Sequence, residues 1–398
     1  MDATIERIDR HYVQLPYREV PGRNMYRGLP HWGYYEVFEV ELADGSVGFG
    51  EEMLYTWGQT TDYAVAAARG ANAAELLWED AIGKGLQMAL FDAVGRSLGV
   101  PVHELLGEKV HDETPVSWWC RDMPPEDWVS EAKEALDRGY TNIKVKGRPW
   151  FDIRAQMEAL DAELPEWFSV DIDFNSTLLS AERALPLLEE LQQYPQVSHF
   201  EGPIENDRAA ALADDVCDGF VTGGTARELL DIAAVTEMAG KPFWIQLIGS
   251  ALTAAFSLHC GGVCEQATWP GINCHQLYEE QLLAEPIAVE DGRAEVPDDP
   301  GLGYEVDRDA IEEFAVDPPA EPPNPERLIE TDWPDGPTVY FADGEATDPL
   351  YEYAMAGEMP YFARGVRTRL VPDDGSETWR DLHDRASDSP VEREEPAF

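Results

Sequence analysis

Apolar and polar positions change rhythm twice along this chain. In the first hundred residues, extended runs at 35–42 and 47–51 flank Ala43-Asp44-Gly45-Ser46, and Asp-Gly between two such runs predicts a hairpin. Helical spacing follows at 62–78 and 82–98. In the second stretch Leu86, Leu90, Ala93, Val94 and Leu98 fall on related faces, and Gly99 and Pro101 end it. From Thr114 onward, short apolar runs alternate with helical stretches. Strands are predicted at 116–119, 142–146, 169–173, 197–201, 219–222, 243–248 and 269–274. Most start about 25 to 28 residues apart, the length of one strand plus one return helix, and that repeat predicts a (β/α) barrel. A closed barrel of this kind has eight strands, and only seven are legible. The stretch from Gly202 to Asp218 is too short for a helix, a strand and a further helix. Either 209–213 forms a stunted strand or the barrel lacks one βα unit after Glu201. After Val316, PPAEPPNPERL and the acidic, Pro- and Gly-rich remainder predict an extended tail, packed on the barrel or partly disordered. The expected division is therefore an α+β unit at 1–112, a barrel at 113–315 and an extension at 316–398.

Charge narrows the range of partners. With 78 Asp plus Glu against 29 Lys plus Arg, the net charge is −49, which repels phosphate backbones and excludes nucleic acid as a partner. Twelve Trp, 15 Tyr and 14 Phe nevertheless supply packed cores. Lysine occurs only at 84, 109, 133, 144, 146 and 241, and this bias resembles proteins of salt-in halophiles. MDATIERIDRHYV has no apolar core and is not a secretory signal. No apolar run reaches the roughly 20 residues that span a bilayer, so a cytoplasmic protein without a membrane partner is expected. Five cysteines, an odd and sparse number, fit a reducing compartment. Cys260, Cys264, Cys274 and His275 invite a zinc site, but their spacing departs from zinc fingers and apolar residues interleave the first pair, so small buried thiols are expected instead.

One constellation carries chemistry. NIKVKGRPW sets Lys144 and Lys146 two apart, on one side of a strand, where each ammonium depresses the pKa of the other. The next strand ends in Asp173 and Asn175 and the following one in Glu201, at intervals of 27 and 28 residues. Residues one βα unit apart sit at neighbouring strand ends, where barrels of this type keep their active sites. Two carboxylates there suit Mg²⁺, and a neutral lysine could take a proton from the carbon next to a bound carboxylate. A chain with so few lysines has placed two within three residues, which is hard to attribute to surface charge alone.

These residues resemble the enolase superfamily in its mandelate racemase and muconate lactonizing branch. The resemblance runs over about 1–315 through GFGE at 48–51, GKGLQMALFDAVGRSLGVPVHELLG at 83–107, KVK at 144–146, DFN at 173–175, FEGP at 200–203 and VPDDPGLGYEVD at 296–307. It implies a barrel of the modified TIM type with an N-terminal α+β capping domain, an enediolate intermediate and Mg²⁺. By resemblance Asp173 and Glu201 are the first two metal ligands, Lys146 is the base, and Lys144 aids binding and electrostatics. The family takes its third acidic ligand from the next strand end, where Asp214 or Asp215 is the available substitute. GFVTGG at 219–224 lacks the lysine of the muconate-type branch, and FWIQLIGS offers Gln246 where the mandelate-type branch has a histidine. A single base favours dehydration of a sugar acid. Racemisation, epimerisation or cycloisomerisation of a carboxylate is the alternative, and a non-catalytic relative with a degraded metal site is another. His275 is a candidate acid, and His259, in an apolar helix, is expected to be packed. Arg27 and His31, in YRGLPHWGYY where related proteins have a mobile loop, and Asn175 in DFN are candidates for substrate contact, whereas Glu51 is expected at a domain interface. Relatives of this family often assemble as homo-oligomers.

The acidic surface generates a prediction about salt. Molar KCl shortens the Debye length to about 3 Å and screens self-repulsion. Dilution to about 0.1 M salt is expected to lower the thermal midpoint, followed by circular dichroism. An unchanged midpoint would count against salt dependence.

Overall fold

The computed structural model describes residues 2–56, 58–205, 215–342 and 349–393. Its first layer is an antiparallel meander of β1 (Ile5–Gln14), β2 (Tyr34–Leu42) and β3 (Val47–Met53), with the hairpin turn centred on Gly45 at φ +86°. The helix Lys84–Leu98 lies across β2 and β3 and ends on left-handed Gly99. The GFGE motif owes its glycines to this packing. A Cβ on Gly48 would stand 2.1 Å from the backbone nitrogen of Ala93, and one on Gly50 would stand 2.3 Å from the carbonyl oxygen of Gly85. Asp92, buried on the same helix, accepts hydrogen bonds from Phe49 N at 2.8 Å and Leu302 N at 2.7 Å, so it fastens the 296–307 motif to the sheet. The helical stretch expected at 62–78 divides into Asp62–Ala68 and Ala73–Leu76, because Gly70 takes φ +77° and Asn72 caps a new start.

The second layer is parallel. A short pair, β4 (Glu113–Pro115) with β11 (Arg293–Glu295), precedes it. β5 (Trp118–Trp119), β6 (Asn142–Lys146), β7 (Ser169–Asp173) and β8 (Val197–Glu201) hydrogen-bond in that order, and β9 (Phe220–Thr222) pairs with β10 (Phe243–Ile245). Parallel bridges Val116↔Gly271 and Gln246↔Ile272 join the two sets, so the strand expected at 269–274 is reduced to two isolated bridges. Among the described residues the array ends at β8 on one side and β9 on the other. The stunted strand expected at 209–213 lies outside those residues. Strict alternation explains the outer face. Ile143, Val145, Val170 and Ile172 share one buried core with Trp128, Met157 and Leu187 of the helices Pro125–Asp137, Ile153–Glu163 and Ala181–Leu191, while the residues between them point to the other side.

The remainder after Val316 is not an extended tail. β12 (Leu328–Asp332), β13 (Thr338–Ala342), β14 (Arg367–Val371) and β15 (Val391–Glu392) form an antiparallel sheet in the order β14-β12-β13-β15, with the helices Pro349–Met355 and Glu377–Asp388. Apolar residues at alternate positions within the acidic composition account for it. Ile329, Val339, Phe341 and Leu350 bury against Trp150 and Phe151 of the loop after β6. Thr368 Oγ1 donates to Trp150 O at 2.7 Å, and Tyr351 OH donates to Asn175 O at 2.9 Å. The C-terminal sheet is thereby docked on the loops that follow β6 and β7. Among the described residues no helix is long and apolar enough to cross a membrane.

Gly48→Ala forces a methyl group into backbone atoms and is expected to cost about 1–3 kcal/mol, the range for overpacking. Gly45→Ala, where a Cβ meets nothing within 4 Å, carries only the strain of a positive φ. Denaturant midpoints of the two variants should therefore differ, with Gly48→Ala the lower.

Candidate active site

The charged side chains of β6, β7 and β8 are the alternate residues left over when the apolar ones face the helices. Parallel register aligns Lys146 with Asp173 and Asp173 with Glu201. Beneath them, Asn142 Nδ2 donates to Asp171 Oδ2 at 2.9 Å, and His199 Nδ1 lies 2.7 Å from the other oxygen of Asp171. At the strand ends Lys144 is fully buried. It pairs with Glu201, donates to Gln246 Oε1 at 2.6 Å, lies 3.9 Å from Asp173, and stands 5.0 Å from the ring centre of Trp244. Lys146 pairs with Asp173, donates to Asn175 Oδ1 at 3.1 Å and lies 5.9 Å from the ring centre of Trp119. Asn175, at φ +43°, returns a backbone N–H to Asp173 Oδ1 at 2.8 Å and also accepts from Arg148.

This environment separates the titrations. Burial pushes the Lys146 amine below its ordinary value; Asp173 opposes the shift, and Lys144 and Arg148 reinforce it. Burial alone would raise Asp173, but Lys146, Lys144 and Arg148 bring it down to about 2. Glu201 is pushed up, first by burial and then by the charge of Asp173, against the pull of Lys144 and Lys146. Lys146 also lines a cavity of about 810 Å³, with Trp119, Thr222 and Gln246 at the strand ends and Trp32 and Met53 reaching over from the first layer. Glu51, on the same wall, is held by the helix Ala251–Gly262: it accepts from Ser250 N at 2.7 Å and Thr253 N at 3.0 Å, and so ties the two layers together.

The structure gathers Lys144, Lys146, Asp173, Asn175 and Glu201 and leaves other candidates apart. Arg27 is not on a mobile loop. It sits in the helix Glu19–Gly28, 3% exposed, its guanidinium paired with Asp122 and donating to Asp122 O at 2.6 Å. His31, in the short turn Pro30–Gly33, packs edge-on to Tyr55, and burial, then Arg327 and Arg121, lower it to about 4. His275 is buried 3.4 Å from the hydroxyl of Tyr140. Burial lowers it to about 4, and it does not line the cavity. Asp214 lies outside the described residues, and Asp215 is exposed and paired with Lys241 at 2.5 Å. Arg148 had a readable signal, since it continues the alternation of KVKGR beyond Lys146. Tyr351 had none, because only the docking of the C-terminal sheet brings it to Asn175.

Asp173 and Glu201 supply hard oxygen donors on neighbouring strands, the donor chemistry that Mg²⁺ takes. Among the described residues no third His, Cys, Asp or Glu completes a cluster with them. Residues 220–310 match the family model described as "Enolase C-terminal domain-like". Muconate cycloisomerase 1 of Pseudomonas putida is 26% identical over 266 residues, 58% of this chain and 71% of that protein. D-galactonate dehydratase of Variovorax paradoxus (strain S110) is 24% identical over 368 residues, 74% of this chain and 94% of that protein. The chain is thus similar over more than half of its length to a muconate cycloisomerase and a D-galactonate dehydratase. The solved muconate lactonizing enzyme from Pseudomonas putida superposes with a TM-score of 0.63 at 24% identity, covering 79% of this chain and all of that one. About a fifth of this chain therefore lies outside the fold it shares with that structure.

Asp173→Asn leaves buried ammonium charge uncompensated and is expected to cost about 3–5 kcal/mol at neutral pH. Asp173 titrates near 2 in the folded chain against an ordinary 3.8, so its contribution is present above pH 3.8 and is lost as pH falls through about 2. Denaturant melts of the two chains should therefore converge in acid. A gap that stays constant would show that Asp173 does not titrate in this way.

Proposed function

We propose that the chain removes the proton α to the carboxylate of a hydroxylated acid and expels the β-hydroxyl, the dehydration of a sugar acid. Lys146 is the base. Burial holds its amine toward the neutral form, and the cavity gives it access to substrate. Lys144 is fully buried, paired with Glu201 and donating to Gln246, and so holds Glu201 in place behind the cavity wall. Asp173 and Glu201 would hold Mg²⁺, and when bound the ion supplies the positive charge that stabilises an enediolate. Having taken the proton, Lys146 carries it as an ammonium and returns it to the departing hydroxide, which leaves as water. Asn175 fixes the Lys146 amine from its other side.

The observation that carries dehydration over racemisation is the content of the neighbouring strand ends. β9 ends in Thr222 and β10 is followed by Gln246, and neither side chain can take a proton from carbon. A single-base reaction fits that arrangement. Cycloisomerisation of an unsaturated acid draws support from the Trp32, Trp119 and Met53 walls and from the named relative that performs it.

Mg²⁺ titration by calorimetry in molar KCl is expected to show binding that Asp173→Ala abolishes. In D₂O with Mg²⁺ and a panel of sugar acids, the natural chain should release water from one of them, and Lys146→Ala should reduce the rate at least about 100-fold, the lower range for a positioned general base. Deuterium entering recovered substrate without loss of water would move the assignment to racemisation. Activity undiminished in Lys146→Ala would remove Lys146 as the base.

A further inference from the structure

We infer that Tyr351 is a positioning residue of the site: by holding the carbonyl of Asn175 it fixes the turn from which that residue reaches both Lys146 and Asp173. This deepens the proposed function and rests on it for the roles of Lys146 and Asp173. The turn after β7 needs such a hold. Asn175 and Ser176 take φ +43° and +67°, two successive left-handed residues of which neither is glycine. Backbone of that kind is costly and persists only where its surroundings over-determine it. Here the groups of Asn175 are held one by one. Its N–H donates to Asp173 Oδ1 at 2.8 Å, its Oδ1 accepts from Lys146 at 3.1 Å and from Arg148, and its carbonyl accepts from Tyr351 OH at 2.9 Å. Ser176 N then donates to Gly202 O at 2.6 Å.

Of these partners only Tyr351 comes from the C-terminal region. The direction of the Asn175 carbonyl is set by rotation about the residue's own backbone, so a hydroxyl fixed in space pins the peptide plane between Asn175 and Ser176. The ring that carries the hydroxyl is itself fixed. Tyr351, on the helix Pro349–Met355, packs on the core that joins Leu350 and Ala354 to Trp150 and Phe151. That loop is tied from both sides, since Thr368 Oγ1 donates to Trp150 O and Trp150 Nε1 donates to Asp122 Oδ2, each at 2.7 Å. A base and a metal ligand act only from a narrow range of positions. The C-terminal region therefore sets where the lysine amine and one carboxylate stand, through a single hydroxyl.

Tyr361 supplies the comparison. Its hydroxyl also donates to a backbone carbonyl, Arg183 O at 2.7 Å, but on the helix Ala181–Leu191 and not on the turn. The test sets Tyr351→Phe against Tyr361→Phe in the full chain in molar KCl. Each variant loses one bond between the C-terminal region and the barrel and keeps its ring, so a merely structural role moves the two thermal midpoints and nothing else. By calorimetry Tyr351→Phe should bind Mg²⁺ about 2- to 10-fold more weakly than the natural chain, the worth of one neutral hydrogen bond, and Tyr361→Phe should bind it as the natural chain does. With the sugar acid that the natural chain dehydrates, Tyr351→Phe at saturating Mg²⁺ should lower kcat and leave KM unchanged. Tyr351→Phe that binds Mg²⁺ like the natural chain, or no differently from Tyr361→Phe, would overturn the inference and leave the proposed function standing. If no acid is dehydrated, the proposed function falls and the Mg²⁺ comparison alone decides the inference. A natural chain that binds no Mg²⁺ would overturn both.

Discussion

Everything at the centre of this molecule depends on pairing buried ammonium with buried carboxylate. A fully buried lysine such as Lys144 is tolerated only if its charge is met on several sides, and Glu201, Gln246 and the face of Trp244 meet it. Those partners come from β8 and from the end of β10, so the pairing holds only when the strands are in register. The same rule governs the first layer. Glu51, Glu52 and Asp92 are buried carboxylates, and each is surrounded by backbone N–H groups, those of Ser250 and Thr253, of Thr60 and Gly85, and of Phe49 and Leu302. An acidic chain thus uses its interior acids as fasteners between elements distant in sequence.

The requirement for pairing also explains how the site can be both rigid and reactive. Lys146 is less deeply buried than Lys144, and its ion pair with Asp173 sits at the cavity wall rather than beneath it. Asn175 is the joint. It accepts from Lys146 and Arg148, donates to Asp173, and has its own carbonyl held by Tyr351. The C-terminal sheet therefore reaches the lysine through one intervening residue, and it packs on Trp150 and Phe151 close by.

Much of the site was legible in sequence for a simple reason. The strands at 142–146, 169–173 and 197–201 begin and end where predicted; in the first two the residues facing the helices are apolar and those facing inward polar or charged, and in the third the register shifts at Ser198 before His199 and Glu201 pair with Asp171 and Asp173. Glu51 was read as an interface residue and ties the two layers together. Arg27, His31 and His275 stand apart from the lysine–carboxylate cluster, and the sequence did not show it because an arginine in a Gly-Pro-rich stretch and a histidine near a strand look alike whether they meet a ligand or a buried partner. The folded C-terminal sheet was hidden by composition: its apolar residues are spaced for a sheet face but diluted by acids and prolines.

By itself the sequence determined which residues carry charge into the strands, at what spacing, and where glycine must replace a side chain. These are local properties, set by alternation and by the absence of a Cβ. Only the tertiary structure decided which charges meet. The pairing of Lys144 with Glu201 and Gln246 and the reach of Tyr351 to Asn175 join residues tens to hundreds of positions apart. Such contacts follow from strand register and from the docking of a third sheet, and no local pattern encodes them.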